Sequence, residues 1–230
     1  MNIGEFEQKI GYTFNRKSLL ETALRHSSFT REHNMEHYSC NERMEFLGDA
    51  FFDAIIGLAL YEKMPHVQEG VLSKTRSLVV CEGALAEVGR KLEIGKYVEL
   101  GAGEEKTGGR DKTSIIADAT EALIGAVYLD GGYEKASEFV LREFRPLIKD
   151  AAAGNLVSDY KTALQEILQR DGKKHDIVYR MDKTTGPDHD KVFYVTLVLE
   201  GKEMGSGKGK NKKAAEQKAA KATLEKGYLE

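Results

Sequence analysis

Two pairs of acidic residues stand out because each pair lies in a stretch of sequence that is otherwise mostly apolar. Glu45 and Asp49 are four residues apart, and Asp118 and Glu121 are three apart. On a helix, both spacings place like charges on one face, where they repel each other. Burial would make an unpaired carboxylate costlier still. A bound cation would offset both penalties, so the acids predict a metal site.

The residue types limit which metal could bind. No His or Cys shares the acidic faces, and carboxylate oxygens alone favour Mg²⁺, with Mn²⁺ as a substitute, over zinc. A di-iron bundle would need Glu-x-x-His pairs, which both stretches lack. The ordinary alternative is a solvated helix face, but large apolar residues around the acids leave little room for one. Those residues are Met44, Phe46, Leu47, Phe51, Phe52, Ile55 and Ile56 in the first stretch and Ile115, Ile116, Leu123, Ile124 and Val127 in the second.

The elements that must position these acids are predicted to be helices. Hydrophobic residues recur with helical spacing up to about Arg145. Gly48 and Gly125 interrupt the two acidic helices at a cost of about 1 kcal/mol each relative to Ala, which makes sense where two helices approach closely. The predicted helices cover residues 14–25, 41–61, 72–92, 113–129 and 133–148, with an exposed loop at 101–112. We therefore expect both acidic helices to be buried and packed together in an all-helical domain over residues 1–150.

A different pattern follows residues 151–157, which are predicted to be a short linker rich in small residues. Asn211 is a predicted N-cap for a final helix that ends near Lys226, and Gly201 marks a tight hairpin. The remaining predicted elements are a helix from 158 or 159 to about 170 and strands at 175–181, 192–200 and 202–207. The expected fold is thus multidomain, with the all-α domain followed by a small α+β (αβββα) domain over residues 158–228.

Charge divides unevenly along the chain. Residues 1–150 carry 19 Lys and Arg against 25 Asp and Glu, a net charge of −6, whereas residues 151–230 carry 15 against 12, or +3. Lys212 and Lys213 lie in the first turn of the final helix, where the helix dipole disfavours cations. Their placement makes sense if phosphates bind there, although a solvated Lys-rich face remains an equal alternative.

Composition excludes several other classes of protein. Cys40 and Cys81 are too few for a disulfide scaffold. No apolar run approaches the roughly 18 residues of a membrane span, and the N-terminal residues lack the features of a signal peptide. We therefore expect a cytoplasmic protein with no membrane segment.

Five motifs, in order along nearly the whole chain, resemble those of bacterial ribonuclease III. Residues 41–49 (NERMEFLGD) resemble the family signature, and residues 117–125 (ADATEALIG) resemble its second acidic motif. Residues 159–166 (DYKTALQE), 186–189 (GPDH) and 212–217 (KKAAEQ) resemble its double-stranded-RNA-binding domain. The resemblance implies an endoribonuclease that cleaves double-stranded RNA by metal-assisted hydrolysis and leaves 5′-phosphate and 3′-hydroxyl ends. Precursors of ribosomal RNA and other structured RNAs are its implied substrates.

The same resemblance assigns roles to the acids. Glu45, Asp49, Asp118 and Glu121 would hold the metal, and Asp49 and Glu121 would be the most directly catalytic. The accessory acids are Glu42 and Glu69. His26 would be structural. The family dimerises through its helical domain, and the apolar Phe51–Phe52 pair would permit a homodimer.

The resemblance also assigns RNA contacts in the second domain. A-form RNA is recognised through its shape, its 2′-hydroxyls and its phosphates. Glu216 stands where some such domains carry a Lys, which predicts a weaker grip on RNA there. The contacts implied are Thr162, Gln165, Glu166 and Gln169 in one minor groove, His189 in another, and Lys210, Lys212 and Lys213 on the phosphates between them.

Two other functions fit part of the sequence. A non-catalytic double-stranded-RNA-binding protein could keep the nuclease fold as a dimer scaffold, but it would tolerate loss of the four acids, which are all present. A metal-dependent phosphohydrolase acting on small nucleotides would explain the acids. It gives no reason for a minor-groove face on the helix that starts near residue 159.

Overall fold

The computed structural model describes residues 3–156, 160–169, 175–187 and 191–226, apart from the side chain of Glu166. The chain divides after residue 156 into two compact units. The first unit is helical and the second combines helices with a sheet, as predicted. Among the described residues, no helix is both long and apolar enough to cross a membrane.

Helices make up most of the first unit. The only β-type pairing among its described residues is an isolated bridge between Arg25 and Glu99. Short 3₁₀ turns lie at His37–Ser39, Ile94–Lys96 and Gly109–Asp111. The helices are α1 (Ile3–Ile10), α2 (Lys17–Ala23), α3 (Ser27–Glu32), α4 (Glu42–Lys63), α5 (Glu69–Val79), α6 (Glu82–Lys91), α7 (Ala102–Lys106), α8 (Thr113–Glu143) and α9 (Arg145–Ala152).

Helices α4 and α8 contact each other through two glycines, and this close approach confirms the prediction. A Cβ atom added to Gly48 would lie 1.9 Å from the backbone oxygen of Glu121. One added to Gly125 would lie 2.4 Å from the backbone oxygen of Met44. Any larger residue at either position would therefore push the two backbones apart. The surrounding core includes the fully buried side chains of Phe6, Phe52, Phe139, Phe144, Ile55, Ile56, Leu123 and Ile124.

Several predicted helix boundaries were wrong, because contacts and backbone geometry that the sequence pattern does not show end the helices. The helix predicted to start at residue 14 begins at Lys17 instead. The backbone N–H groups of Asn15 and Arg16 donate to the carboxylate of Asp130, both at 2.9 Å, which holds them outside the helix. The single helix predicted over 72–92 is split into α5 and α6, because the backbone of Cys81 is extended.

The region predicted as an exposed loop at 101–112 contains α7 and a 3₁₀ turn. Arg110 ties this region to the unit, since its guanidinium donates to the backbone oxygens of Gly95 and Val98, each at 2.9 Å. The stop predicted at residues 130–132 is instead a kink within α8. Gly132 has φ 79° and ψ −174°, and the helix resumes after it until Glu143. The helix predicted over 133–148 is therefore divided between α8 and α9, which begins at Arg145.

The second unit has the predicted αβββα order. Helix α10 (Tyr160–Gln169) precedes strands β1 (Ile177–Thr185), β2 (Val192–Leu199) and β3 (Lys202–Gly209), and helix α11 (Lys212–Glu225) follows. The strands form an antiparallel sheet in the order β1-β2-β3. Both helices pack on the sheet through a core that includes Leu164, Leu168, Val195, Leu197, Ala215 and Ala219.

Local contacts explain where this unit follows the prediction and where it departs from it. Asn211 caps α11 as predicted, because its side chain accepts a hydrogen bond from the backbone N–H of Ala214 at 2.8 Å. Strand β1 runs past its predicted end and changes register at Asp182. The carboxylate of Asp182 accepts a hydrogen bond of 2.6 Å from the Thr196 hydroxyl, which fixes this irregularity against β2. The predicted start of α10, at residues 158 and 159, lies outside the described residues.

Candidate active site

The four predicted acids lie beside the crossing of α4 and α8. Glu45 and Asp49 are on α4, and Asp118 and Glu121 are on α8. Gly48 is adjacent to Asp49 in sequence, and its Cα faces the backbone of Glu121. The glycines therefore bring the two acidic pairs together by letting their helices touch. Glu45, Asp118 and Glu121 are half-buried, whereas Asp49 is exposed.

Burial and mutual repulsion shift the ionisation of this cluster. Burial, followed by the negative charges of Asp49, Glu45 and Asp118, raises the pKa of Glu121 to about 8. The pKa of Glu45 is also raised, first by burial and then by the charge of Asp118. The pKa of Asp118 is raised by burial and by neighbouring carboxylates. All of these causes oppose ionisation, and a bound cation would reverse them.

Two further acids extend the cluster. Glu42, a predicted accessory acid in the first turn of α4, adds to the charge that raises the pKa values of Glu45 and Asp118. Glu82, at the start of α6, is the largest electrostatic contributor to the raised pKa of Asp118. Sequence reasoning missed Glu82, because an acid in the first turn of a helix is common and needs no functional explanation. Only the packing of α6 against α8 brings it near the site.

Glu69 differs from the other predicted acids. It is exposed in the first turn of α5, and its carboxylate accepts a hydrogen bond of 2.6 Å from the Ser73 hydroxyl. It is not among the groups that raise the pKa values of Glu45, Asp118 or Glu121. Glu69 therefore does not contribute to the charge that shifts the ionisation of the cluster.

The donors of the cluster fit a hard divalent cation. All are carboxylates, and such oxygen donors suit Mg²⁺ or Mn²⁺. Within the described parts of the chain, no three His, Cys, Asp or Glu side chains are arranged as a ready-made metal-binding group. The case for a metal rests on the chemistry of the donors and on the repulsion between them, which a cation would reverse.

Helix α4 is not buried on all sides, contrary to the prediction. Phe46 is 78% exposed and Tyr61 is 68% exposed. Phe52 is fully buried in the core, and the ring of Phe51 stacks on Tyr128 at 3.6 Å between centroids. Asp49 is also exposed to solvent on α4, so a substrate can reach this acid from outside.

His26 has the structural role that was predicted for it. It is the N-cap of α3, and its Nδ1 accepts a hydrogen bond of 3.2 Å from the backbone N–H of Ser28. Burial lowers the pKa of His26, which favours the neutral ring that can accept this bond.

The predicted RNA contacts of α10 lie on one face of the helix. Thr162, Gln165 and Gln169 are exposed, whereas Leu164 and Leu168 on the opposite face are buried. This arrangement leaves a polar surface of the kind needed to enter a groove. The side chain of Glu166 and the whole of His189 lie outside the described residues.

The predicted phosphate contacts surround the start of α11. Lys210, Lys212 and Lys213 are all exposed, and α11 begins at Lys212. Lys212 lies 3.9 Å from Glu216, one helical turn further on. These lysines therefore form a basic surface next to a helix N-terminus, where anions are favoured.

Comparison with known proteins identifies both units. The family model described as "Ribonuclease-III-like" matches residues 16–147, and the "Double-stranded RNA binding motif" matches residues 160–226. The protein named ribonuclease 3 of Pelotomaculum thermopropionicum is 46% identical over 223 residues, which cover 97% of this chain and 92% of the relative. Ribonuclease 3 of Clostridium beijerinckii is 45% identical over 221 residues, covering 96% and 94%.

Solved structures of the nuclease domain of ribonuclease III from Campylobacter jejuni also match. One, described as flexible in a region involved in dimer formation, has a TM-score of 0.59 at 40% identity and covers 63% of this chain and 97% of that chain. A second has a TM-score of 0.57 at 40% identity, covering 65% and 95%. Together with the paired acids and the αβββα unit, these matches show that the chain belongs to the ribonuclease III family of double-stranded-RNA-specific endoribonucleases.

Proposed function

We propose that this protein cuts double-stranded RNA by metal-assisted hydrolysis of phosphodiester bonds and leaves 5′-phosphate and 3′-hydroxyl ends. The observation that carries the proposal is the convergence of two acidic pairs at the α4–α8 crossing, where burial and repulsion raise the pKa of Glu121 to about 8. Such a cluster favours a cation, and the basic surface of the second unit favours a polyanion.

The four central acids would bind the metal. We propose that Glu45, Asp49, Asp118 and Glu121 hold Mg²⁺, for which Mn²⁺ can substitute, and that the metal supplies positive charge to the scissile phosphate. Asp49 is exposed and meets the substrate first. Burial and three neighbouring carboxylates raise the pKa of Glu121 to about 8, so its ionised form would be strongly favoured by a bound cation. Asp49 and Glu121 are therefore the proposed catalytic residues.

The proposed accessory acids differ in how they would act. Glu42 adds negative charge directly to the cluster, so it would increase the affinity of the site for a cation. Glu69 does not contribute to the charge that shifts the ionisation of the cluster, and we propose that it acts only at the edge of the site, when RNA is bound.

The second unit would bind the duplex by its shape. We propose that residues on α10 enter one minor groove, that His189 enters another, and that lysines at the start of α11 bind the phosphates between them. Exposure of the described side chains supports this arrangement. The proposed contacts are Thr162, Gln165, Glu166, Gln169, His189, Lys210, Lys212 and Lys213.

A homodimer would provide two cutting centres for the two strands. The C. jejuni nuclease domain is described as having a region involved in dimer formation, and we propose a dimer for this chain as well. Exposed Phe46 and Tyr61 on α4 offer apolar surface for such an interface. The Phe51–Phe52 pair, which was predicted to permit it, contributes little exposed surface, since Phe52 is fully buried.

We propose that the two domains predicted from the sequence have different functions. The domain over residues 1–150 would cut the RNA, and the domain over residues 158–228 would bind it. Residues 151–157 would link the two domains, although α9 extends to Ala152. We propose precursors of ribosomal RNA and other structured RNAs as substrates. Free Cys40 and Cys81 support action in the reducing cytoplasm.

Cleavage of a long RNA duplex tests the proposal. Wild-type protein, Glu121→Ala and Glu138→Ala are incubated with duplex with Mg²⁺ and with a chelator. Glu138 is a matched control, because it lies on α8 but pairs with Lys135 at 2.9 Å, away from the cluster. We expect cutting only with Mg²⁺, full cutting by Glu138→Ala and none by Glu121→Ala. A wild-type protein that binds the duplex but never cuts it would instead support the non-catalytic alternative.

A further inference from the structure

Glu216 lies one turn into α11, next to lysines that are proposed to bind phosphate. Its Oε1 atom is 3.9 Å from Lys212 Nζ, and its side chain is only 12% exposed. On charge alone, an acid in this place would repel the RNA backbone and weaken binding. The other contacts of Glu216 indicate a different role.

The second carboxylate oxygen of Glu216 contacts α10. Lys161 Nζ donates to Glu216 Oε2 at 2.7 Å, and the same ammonium group lies 4.5 Å from the centre of the Tyr179 ring. The next residue along α11 adds another link, because Gln217 Oε1 accepts a hydrogen bond of 3.4 Å from the backbone N–H of Lys161. An ion pair and a hydrogen bond therefore join the two helices at Lys161.

The joined residues stand next to both parts of the proposed RNA surface. Lys161 immediately precedes Thr162, which is a proposed minor-groove contact. Glu216 follows Lys212 and Lys213 by one turn. The separation between a minor groove and the neighbouring phosphates is set by A-form geometry, so both contacts form together only if α10 and α11 keep a fixed spacing.

We propose that Glu216 is a positioning residue for RNA binding, and that its ion pair with Lys161 holds α10 and α11 at the spacing that a duplex requires. The inference rests on the proposed RNA-binding function of this unit. The pair is largely removed from water, with side chains 32% and 12% exposed, so salt screens it less than a surface pair. Because Lys161 and Lys212 compensate the charge of Glu216, little of it remains to repel phosphates.

The test measures binding of double-stranded RNA by the full chain at several salt concentrations. Glu225→Ala is the matched control for Glu216→Ala. It removes the same charge from the same helix, but the side chain of Glu225 is 65% exposed and its 3.7 Å contact is with Lys221 rather than with Lys161. We expect Glu216→Ala to weaken binding roughly fivefold although it makes the chain more positive, and Glu225→Ala to bind like wild type. Unchanged or tighter binding by Glu216→Ala would overturn the proposal.

Further variants separate positioning from folding and from charge. Lys161→Met and Glu216→Ala together should cost less than the sum of the two single changes, because both break the same pair. Glu216→Gln keeps an oxygen within reach of Lys161 and should recover part of the binding. In cleavage, Glu216→Ala should raise KM and leave kcat unchanged, because the acids lie in the other unit. Additive losses of binding affinity in the double variant would contradict the positioning role of Glu216. A fall in kcat without a rise in KM for Glu216→Ala would contradict it as well.

Lys212→Ala, measured beside these variants, distinguishes a failure of the proposed RNA-binding function from a failure of the positioning role of Glu216. It should weaken binding and reduce the slope of log affinity against log salt by about 1. If it does neither, the proposed phosphate contact is wrong. If Lys212→Ala weakens binding but Glu216→Ala does not, only the positioning role of Glu216 is wrong.

Discussion

Substituting Gly48 by Ala should separate the two helices that carry the acids. The added Cβ would lie 1.9 Å from the backbone oxygen of Glu121, whereas an ordinary contact begins near 3.4 Å. The backbones would therefore have to move apart by about 1.5 Å, since packed interiors have little free space. Neither atom belongs to a flexible side chain that could turn away. The clash must be relieved by moving α4 or α8 as a whole.

The expected cost combines overpacking with helix propensity. Overpacking of a dense core costs roughly 1–3 kcal/mol, occasionally more, and a clash between backbone atoms belongs at the upper end. Replacing Gly by Ala within a helix returns about 1 kcal/mol. We therefore expect Gly48→Ala to lower the free energy of unfolding of the first unit by about 2 kcal/mol. Cleavage should fall by roughly 100-fold, because a misplacement of about 1 Å is enough for such a loss.

Gly57→Ala is the matched control, because it lies in the same helix without the clash. A Cβ there would lie 3.8 Å from the nearest atom, in the side chain of Arg76. It should raise stability by up to about 1 kcal/mol and leave cleavage unchanged. Chemical denaturation followed by helical circular dichroism measures both variants. If Gly48→Ala is as stable and as active as Gly57→Ala, the close crossing of α4 and α8 does not position the acids.

Three further predictions follow from the structure. Asp130→Ala should lower the free energy of unfolding by about 3 kcal/mol, because it leaves the N–H groups of Asn15 and Arg16 without their acceptor. Denaturation curves of this variant and of the exposed control Asp150→Ala measure the difference in stability. Equal stability of the two variants would refute the structural role of Asp130. Asn211→Ala should lower the free energy of unfolding of the second unit by about 1 kcal/mol, because it removes the N-cap of α11. Asp can also cap a helix, so Asn211→Asp should melt at a higher temperature than Asn211→Ala. Equal melting temperatures of the two variants would contradict the capping role. Without divalent metal, the first unit should lose stability as pH rises from 4.5 to about 8, because the raised pKa of Glu121 favours its protonated form in the folded chain. In denaturation curves measured across this pH range, Glu121→Gln should lose less stability than wild type. An equally steep loss in the variant would show that Glu121 does not cause the pH dependence.

The acidic cluster at the crossing of α4 and α8 could be predicted because the sequence features that indicate it lie within short segments. Paired carboxylates within apolar helices, and glycines at Gly48 and Gly125, are visible in sequence, and each has a direct physical explanation. The αβββα order was predictable for the same reason, since period-two strands and the Asn211 cap are features of short segments.

The features that were missed depend on contacts between distant residues. Asn15 and Arg16 remain outside α2 because Asp130, on α8, accepts their N–H groups. Glu82 joins the acidic cluster only because α6 packs against α8. Helical periodicity alone also could not show that Phe46 on α4 stays exposed within one chain, since an apolar residue suits a core and an interface equally.

Binding of Mn²⁺ to the full chain tests the central claim most directly, because it measures the cation site without requiring RNA or turnover. Asp49→Asn removes a proposed ligand, whereas Asp53→Asn, one turn further along α4, removes a carboxylate that pairs with Arg76 at 3.5 Å. Titration calorimetry should show binding to wild type and to Asp53→Asn, and severe loss of binding to Asp49→Asn. Equal binding by all three proteins would show that the paired acids of α4 and α8 do not form the metal centre.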